Sequence, residues 1–362
     1  MNPGSRDRVD VLYQEGAAAW EAGHHAEAAA RARSAIALEP GLPALHFLLA
    51  SALMQGGSWH EAIDAFAQAM ARGAVYPMSH NCGLQTALAR ARIDLGHGLL
   101  PLQQSLPSAP PFVSCIICSI NPVRFKKISA NLERLLEGVP HELVGIHDAR
   151  SLCEGYNRGA RQSRGDILLF CHDDIEIAGS DFAARLLHHM ACHELVGVAG
   201  STRLAGDAWP YANWPGVHGQ IGMPLPATGK ITVTAFQMKG RATPRAQVLD
   251  GVLMAARRAL WQAHPFDQET FDGWHLYDFD FSFSAYRAGR SVAVAHDILV
   301  VHESTGNFGA VWQRYARKFM DKHAIAFATP ATTAPPQLCT VTVNSAAEWM
   351  LFTEHLISTS PR

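Results

Sequence analysis

The chain has 362 residues, 48% hydrophobic and 17% charged, with a formal net charge of −2. That length and apolar content suit two domains with a large core and exclude disorder as the general state. The near-neutral balance offers no global attraction to nucleic acid or an anionic membrane, so any phosphate must be held locally.

Met1 to Asp10 is polar, without the apolar core of a signal peptide, and no apolar run is long enough for a bilayer. The expectation is a cytoplasmic protein with no transmembrane segment. Gly23-His-His-Ala-Glu-Ala-Ala then recurs 34 residues later as Gly57-Ser-Trp-His-Glu-Ala-Ile. Ala28 and Ala62 fall where two antiparallel helices touch, Ala35 and Ala69 follow on the same face, and Pro40 ends the first unit. The spacing resembles the tetratricopeptide repeat, although Leu12, Ala19, His46 and Leu53 replace its early aromatic positions. A generic helical hairpin array fits the same pattern. Residues 7–97 are read as this all-α domain, with a helix over 77–96 capping the second unit. Such repeats imply a protein partner or self-association.

Pro101, Pro107, Pro110 and Pro111 mark residues 98–111 as an extended linker. From Phe112 apolar runs alternate with amphipathic helices: strand 112–120, helix 124–137, strand 142–147, helix 154–163, strand 166–171, helix 180–192, strand 195–199. The alternation predicts an α/β domain over 112–324 with a doubly wound, mostly parallel sheet, leaving 325–362 as a C-terminal tail. The seven cysteines are scattered, as reduced thiols are; Cys115 and Cys118 lie three apart on a strand and face opposite ways, as core residues.

Ligands of such sheets bind outside the carboxyl ends of the strands. Ser119 and Asn121 end the first strand, His147 and Asp148 the second, and His172, Asp173 and Asp174 the third. Adjacent carboxylates repel unless a cation sits between them, and Mg²⁺ or Mn²⁺ bridging to a diphosphate answers that. A solvated acidic loop is the plainer alternative. Between 202 and 245 the chain is long and rich in Gly, Pro and Trp; Trp209, Tyr211, Trp214 and His218 suit either an acceptor-sugar platform or ordinary packing.

Four ordered stretches carry a second resemblance. They are Gly155-Tyr-Asn-Arg-Gly-Ala through His172-Asp-Asp, Leu249-Asp-Gly-Val through Arg257-Arg, Phe271-Asp-Gly-Trp-His-Leu-Tyr-Asp-Phe-Asp, and Val300-Val-His-Glu. Together they resemble glycosyltransferase family 2, nearest its bacterial capsule and surface-polysaccharide branch, over roughly 112–322. The resemblance implies a GT-A fold and inverting transfer of a sugar from a nucleoside diphosphate sugar donor to a glycan, lipid-linked or protein acceptor. It implies Mn²⁺ or Mg²⁺ held by Asp174, the second acid of D-x-D, with His172 in the first acid's place, so that either the metal is held more weakly or His302 completes the site. His302 as a buried, satisfied histidine stays open. On the donor side the resemblance implies Asp148 and Asn157, and Ser119, Asn121, Asp173 and Gly251 are expected with them; Trp209, Trp214 and Asp250 are expected toward the acceptor. For Asp148 and Asn157 a helix-capping role fits equally. Asp278 matches the Asp of the family's Glu-Asp pair and is the expected base, with Tyr277 in the Glu position. Asp280 is a second candidate, though two residues on a helix turn it about 200° away. The rival readings are a noncatalytic glycan- or nucleotide-binding scaffold and a nucleotidyltransferase, against which the 271–289 stretch speaks.

Overall fold

Alanine at matched positions lets the first helices approach closely. In the computed structural model, which describes residues 3–304, 306, 309–325 and 338–359, these are α1 (Pro3–Glu21), α2 (His25–Leu38), α3 (Pro43–Gln55), α4 (Trp59–Ala71) and α5 (Met78–Gly96). Ala28, Ala35, Ala62 and Ala69 are completely buried. The repeat is also written in the backbone. Gly23 and Gly57 take φ of 80° and 81°, and the residues that follow, His24 and Ser58, have matching φ/ψ of −84°/64° and −83°/62°. A positive φ strains a side chain, which explains glycine at both turns.

The chain divides into two compact units, one running to Pro101 and including Cys339–Thr359, the other spanning Leu102–Leu338. The second begins inside the proline-rich stretch: Arg185 donates to the Leu102 carbonyl, and the Gln104 amide to Asp181 at 3.0 Å. Its elements follow as β1 (Val113–Cys118), α6 (Pro122–Leu135), β2 (His141–Ile146), α7 (Leu152–Gln162), β3 (Ile167–Cys171), β4 (Ile175–Ala178), α8 (Phe182–Cys192), β5 (Leu195–Gly197) and β6 (Ala199–Ser201). Then come β7 (Val217–Leu225), β8 (Lys230–Ala235), β9 (Ala242–Pro244), β10 (Val248–Leu249), β11 (Leu253–Arg257), α9 (Arg258–Ala263), α10 (Tyr277–Arg287), β12 (Val292–Ala295), β13 (Leu299–His302) and α11 (Ala310–His323).

The main sheet has the order β2-β1-β3-β11-β5-β12-β9. β2, β1 and β3 are parallel, as alternation with helices requires, and so are β5 and β12. β11 runs antiparallel between the two sets, with Leu253 opposite Cys171 and Arg257 opposite Ile167. An apolar run carries no mark of direction, so this reversal is not legible in the pattern of residues. It brings Asp250 and Gly251, just before β11, to the edge where β3 releases His172. A second sheet runs β10-β6-β7-β13-β4, with β8 beside β7. In it His302 of β13 pairs with Ile175 of β4.

Strand alternation divides the core between the two faces of the main sheet. Cys115, Ile117, Leu169 and Cys171 belong to one apolar cluster, Ile116, Leu168 and Phe170 to the other, against which Cys118 also packs. Cys115 and Cys118 are therefore core residues of opposite faces, and all seven cysteines are free thiols. Among the described residues no helix is long and apolar enough to cross a membrane.

The segment after 338 supplies β14 (Thr340–Val343) and α12 (Ala346–Thr359), which belong with the helical unit. α12 packs on α5 through an Arg92–Glu348 ion pair at 2.8 Å and a His355–Asp94 contact at 2.7 Å.

Candidate active site

β1, β2 and β3 each end in polar residues at one edge of the sheet. After β1, the Ser119 hydroxyl donates to Asp173 at 2.6 Å, and Asn121 caps α6 by accepting the Val123 and Arg124 amides. After β3, His172, Asp173 and Asp174 leave the core together. A cavity of about 760 Å³ opens here, lined by Ser119, Asn121, Arg124 and all three β3-end residues. That volume lies in the usual range for small-molecule sites.

The β4–β13 pairing sets His302 beside Asp174, with Nε2 3.3 Å from Oδ1. His172 Nδ1 lies 3.8 Å from the same oxygen. One ligand atom from each residue falls within 4.8 Å of the others, the single such group among the described residues. Burial works to raise Asp174's pKa, but hydrogen bonds from His302 and Ser304 and the charge on His302 hold it well below the usual carboxylate range. Burial works to lower His302, yet the Asp174 carboxylate holds it above its ordinary value. His172 is lowered, by burial first and then by His302. Two imidazole nitrogens and an ionised carboxylate oxygen fit a divalent transition metal, because imidazole suits such ions and the carboxylate offsets their charge.

A second group of acids lies across the β10–β11 turn. The Gly251 amide donates to Asp278 Oδ2 at 2.8 Å, and a Cβ at 251 would collide with Tyr277 Oη and lie 2.9 Å from Asp278 Cβ. Glycine is thus required for α10 to start this close. Burial, and then the nearby Asp250 carboxylate, push Asp278 up to about 7. Asp250 is held in turn by the Trp209 indole, which donates to it at 2.8 Å. Tyr277 Oη meets His172 Nε2 at 2.7 Å.

Other candidate residues lie elsewhere. Asn157 is 2% exposed and spends its whole hydrogen-bonding capacity internally: its amide donates to the Phe266 carbonyl and Gln268, and its oxygen accepts from Trp261 and the Phe266 amide. It braces the loop after α9 and caps no helix, the cap of α7 being Ser151. Asp280 is buried against Lys322 and His323, each at 2.8 Å, facing away from Asp278. Trp209 is buried edge-on against Phe236, so its ring is no open platform. Trp214 is partly exposed and does not line the cavity. Asp148 is exposed and paired with Arg158 at 2.8 Å, which lowers its pKa. His218 is buried and contacts Thr202 and Thr243.

Two cavity residues escape the sequence reading. Trp274 lines the cavity with half its surface exposed, between buried Phe271 and Leu276. Arg124, in the first turn of α6, lies 3.9 Å from Asp173. The signal for Trp274 was a large aromatic in a short polar loop immediately before the acidic helix.

Residues 114–323 match the Glycosyltransferase like family, and residues 19–80 match the Tetratricopeptide repeat. No curated protein matches the chain. Among solved structures, the mannosyltransferase PcManGT from Pyrobaculum calidifontis, in complex with GDP-Man and Mn²⁺, is 12% identical with a TM-score of 0.39 over 82% of each chain. GalNAc-T7 with UDP, GalNAc and Mn²⁺ is 11% identical, with a TM-score of 0.37 over 59% of this chain and 48% of its own. A197 from STIV is 11% identical with a TM-score of 0.31, over 54% of this chain and 86% of its own. The family match spans more than half of the sequence and contains every strand-end residue described above: the chain belongs to the glycosyltransferase-like family.

Proposed function

We propose that the chain is a cation-dependent, inverting glycosyltransferase of the family 2 type, moving a hexosyl group from a nucleoside diphosphate donor to a hydroxyl of a glycan, lipid-linked or protein acceptor. Surface polysaccharide or glycoconjugate synthesis, carried out in the cytoplasm, is the corresponding role. The observation that carries this reading is the His172–Asp174–His302 cluster at the cavity; Asp278 is tied to it through its neighbour Tyr277, which meets His172, and through Asp250, whose charge acts on Asp278, His172 and His302 alike.

Transfer needs a base for the acceptor hydroxyl and positive charge against the departing diphosphate. Asp278 suits the first task, since a base titrating near 7 is about half ionised near neutral pH and still binds a proton well. Gly251's amide fixes one of its oxygens. Mn²⁺ or Mg²⁺ held by His172, Asp174 and His302 supplies the second need. Ser119 fixes Asp173, Arg124 offers the cavity a cation, and Trp274 gives it an apolar wall. The helical unit is proposed to bind a protein partner or a second copy of the chain, as tetratricopeptide repeats do.

The test is donor turnover with and without Mn²⁺. Asp174→Ala is expected to abolish cation-dependent stabilisation by nucleoside diphosphate sugars in a thermal-shift assay. Donor binding that ignores a chelator, or survives intact in Asp174→Ala, contradicts the proposal. Cation-dependent donor binding with no turnover on any acceptor favours the scaffold reading, to which His172 and Tyr277 give weight.

A further inference from the structure

His172 and Tyr277, the two places where the chain departs from the family pattern, are in direct contact. We propose that Tyr277 is a positioning residue that holds the His172 ring with Nδ1 aimed into the metal cluster, so that the two departures form one unit. The proposal rests on the reading that His172, Asp174 and His302 hold a divalent cation.

An imidazole has two nitrogens on opposite edges, and here they face different partners. Nε2 is 2.7 Å from Tyr277 Oη, and Nδ1 is 3.8 Å from Asp174 Oδ1. Nδ1 can offer a metal its lone pair only when the proton sits on Nε2. Nε2–H must then have an acceptor, and Tyr277 Oη is within reach. The backbone of His172 is fixed independently, because its amide donates to the Val252 carbonyl at 3.2 Å.

Tyr277 is equally fixed. It opens α10, is 4% exposed, and packs edge-on against Tyr156 with ring centroids 5.8 Å apart. Gly251 lies beneath its hydroxyl with no room for a Cβ. Three elements therefore converge to hold one hydroxyl on one ring nitrogen. The pairing also makes chemical sense of both replacements. A carboxylate can also hold the second N–H of a metal-ligating histidine; a neutral phenol at 277 accepts Nε2–H without adding a charge beside the three carboxylates at this edge. Outer partners of this kind commonly account for 10- to 100-fold in metal affinity.

Mn²⁺ binding by the full-length protein, followed by calorimetry and by the loss of the free-ion electron paramagnetic resonance signal, tests this in wild type and Tyr277→Phe. The expected result is roughly 10- to 100-fold weaker Mn²⁺ binding in the variant, with the melting temperature of the metal-free protein little changed. Wild-type Mn²⁺ affinity in Tyr277→Phe, whatever its melting temperature, overturns the proposal alone. If the wild type binds no Mn²⁺, the metal reading fails and takes the proposal with it. A second measurement needs no folded Tyr277 variant. Histidine ¹⁵N shifts of the metal-free wild type, assigned through His172→Gln, should show the Nε2–H form at His172, and the Nδ1–H form would overturn the assignment.

Discussion

The two ends of the β3–β11 pair carry charge for different purposes. At one end, where β3 stops and β11 starts, lie Asp250 and the three cavity-lining residues His172, Asp173 and Asp174. At the other, Arg257 ends β11 and Arg258 opens α9, and both are tied mainly to backbone carbonyls. Arg257 donates to the Met190 and Ala191 carbonyls at the end of α8, and Arg258 to the Ala160 carbonyl and Ser163 at the end of α7. Cations there also oppose the helix dipoles. Adjacent charged residues on one ladder are thus tied into the fold at one edge and face a cavity at the other. Spare hydrogen-bonding capacity distinguishes them, and residue type does not. Asp278 and Asp280 repeat the contrast within a single turn of α10.

The strongest attempt to break this contrast is Asp278→Asn. If Asp278 takes the acceptor proton, turnover should fall by roughly 10² to 10⁴ while donor and Mn²⁺ affinities hold. The wild-type rate should rise with pH through about 7, where this carboxyl ionises. Stability moves the other way. Because the native carboxyl keeps its proton to higher pH than the unfolded chain, its contribution is complete below about pH 4 and is lost as pH rises to about 7. In the metal-free protein Asp278→Asn should flatten that slope, as pH-dependent denaturant melts would show. Near-normal turnover, or a defect traced wholly to weaker Mn²⁺ binding, ends the assignment.

Asp280→Ala should do the reverse, leaving the chemistry of the folded fraction intact while destabilising the protein. Removing one partner of a buried ion pair strands the others, and about 3 kcal/mol is the expected loss in chemical denaturation. Lys322 keeps Asp267 at 2.8 Å, which should hold the effect toward the lower end. A folded Asp280→Ala protein with turnover reduced as far as in Asp278→Asn would erase the distinction.

The smallest effect is expected at Trp274. Its ring stands at the cavity with half its surface exposed, so Trp274→Ala should weaken donor binding by about tenfold, within the roughly 1–3 kcal/mol of a stacked ring. Melting temperature should barely move. Unchanged donor affinity would remove Trp274 from the site.

What the sequence made legible is what local pattern encodes. The 34-residue recurrence at Gly23 and Gly57 reads as helical hairpins, since small residues and a positive φ are local demands. Polar residues at the ends of β1 and β3 read as a ligand edge because a parallel sheet has one. The family resemblance supplied Asp174 and His302 as partners; their contact depends on the β4–β13 register, and β4 itself is not visible in the alternation. Asn157 shows where local reading stops. Its partners Trp261, Phe266 and Gln268 lie more than a hundred residues away, so a polar residue aligned with a diphosphate contact proved to be an internal strut. Of the two readings kept for Trp209, packing describes it: the ring folds inward and its indole holds Asp250.

The helical unit is discontinuous along the chain, and that affects the order in which the protein is made. Its first five helices leave the ribosome early, but α12, which covers α5, is encoded beyond the whole catalytic unit. At the usual 5–20 residues per second, α5 waits tens of seconds for its cover. During that interval the nascent array presents a face that the finished protein hides, a window in which a chaperone or a neighbouring chain can engage it before α12 arrives.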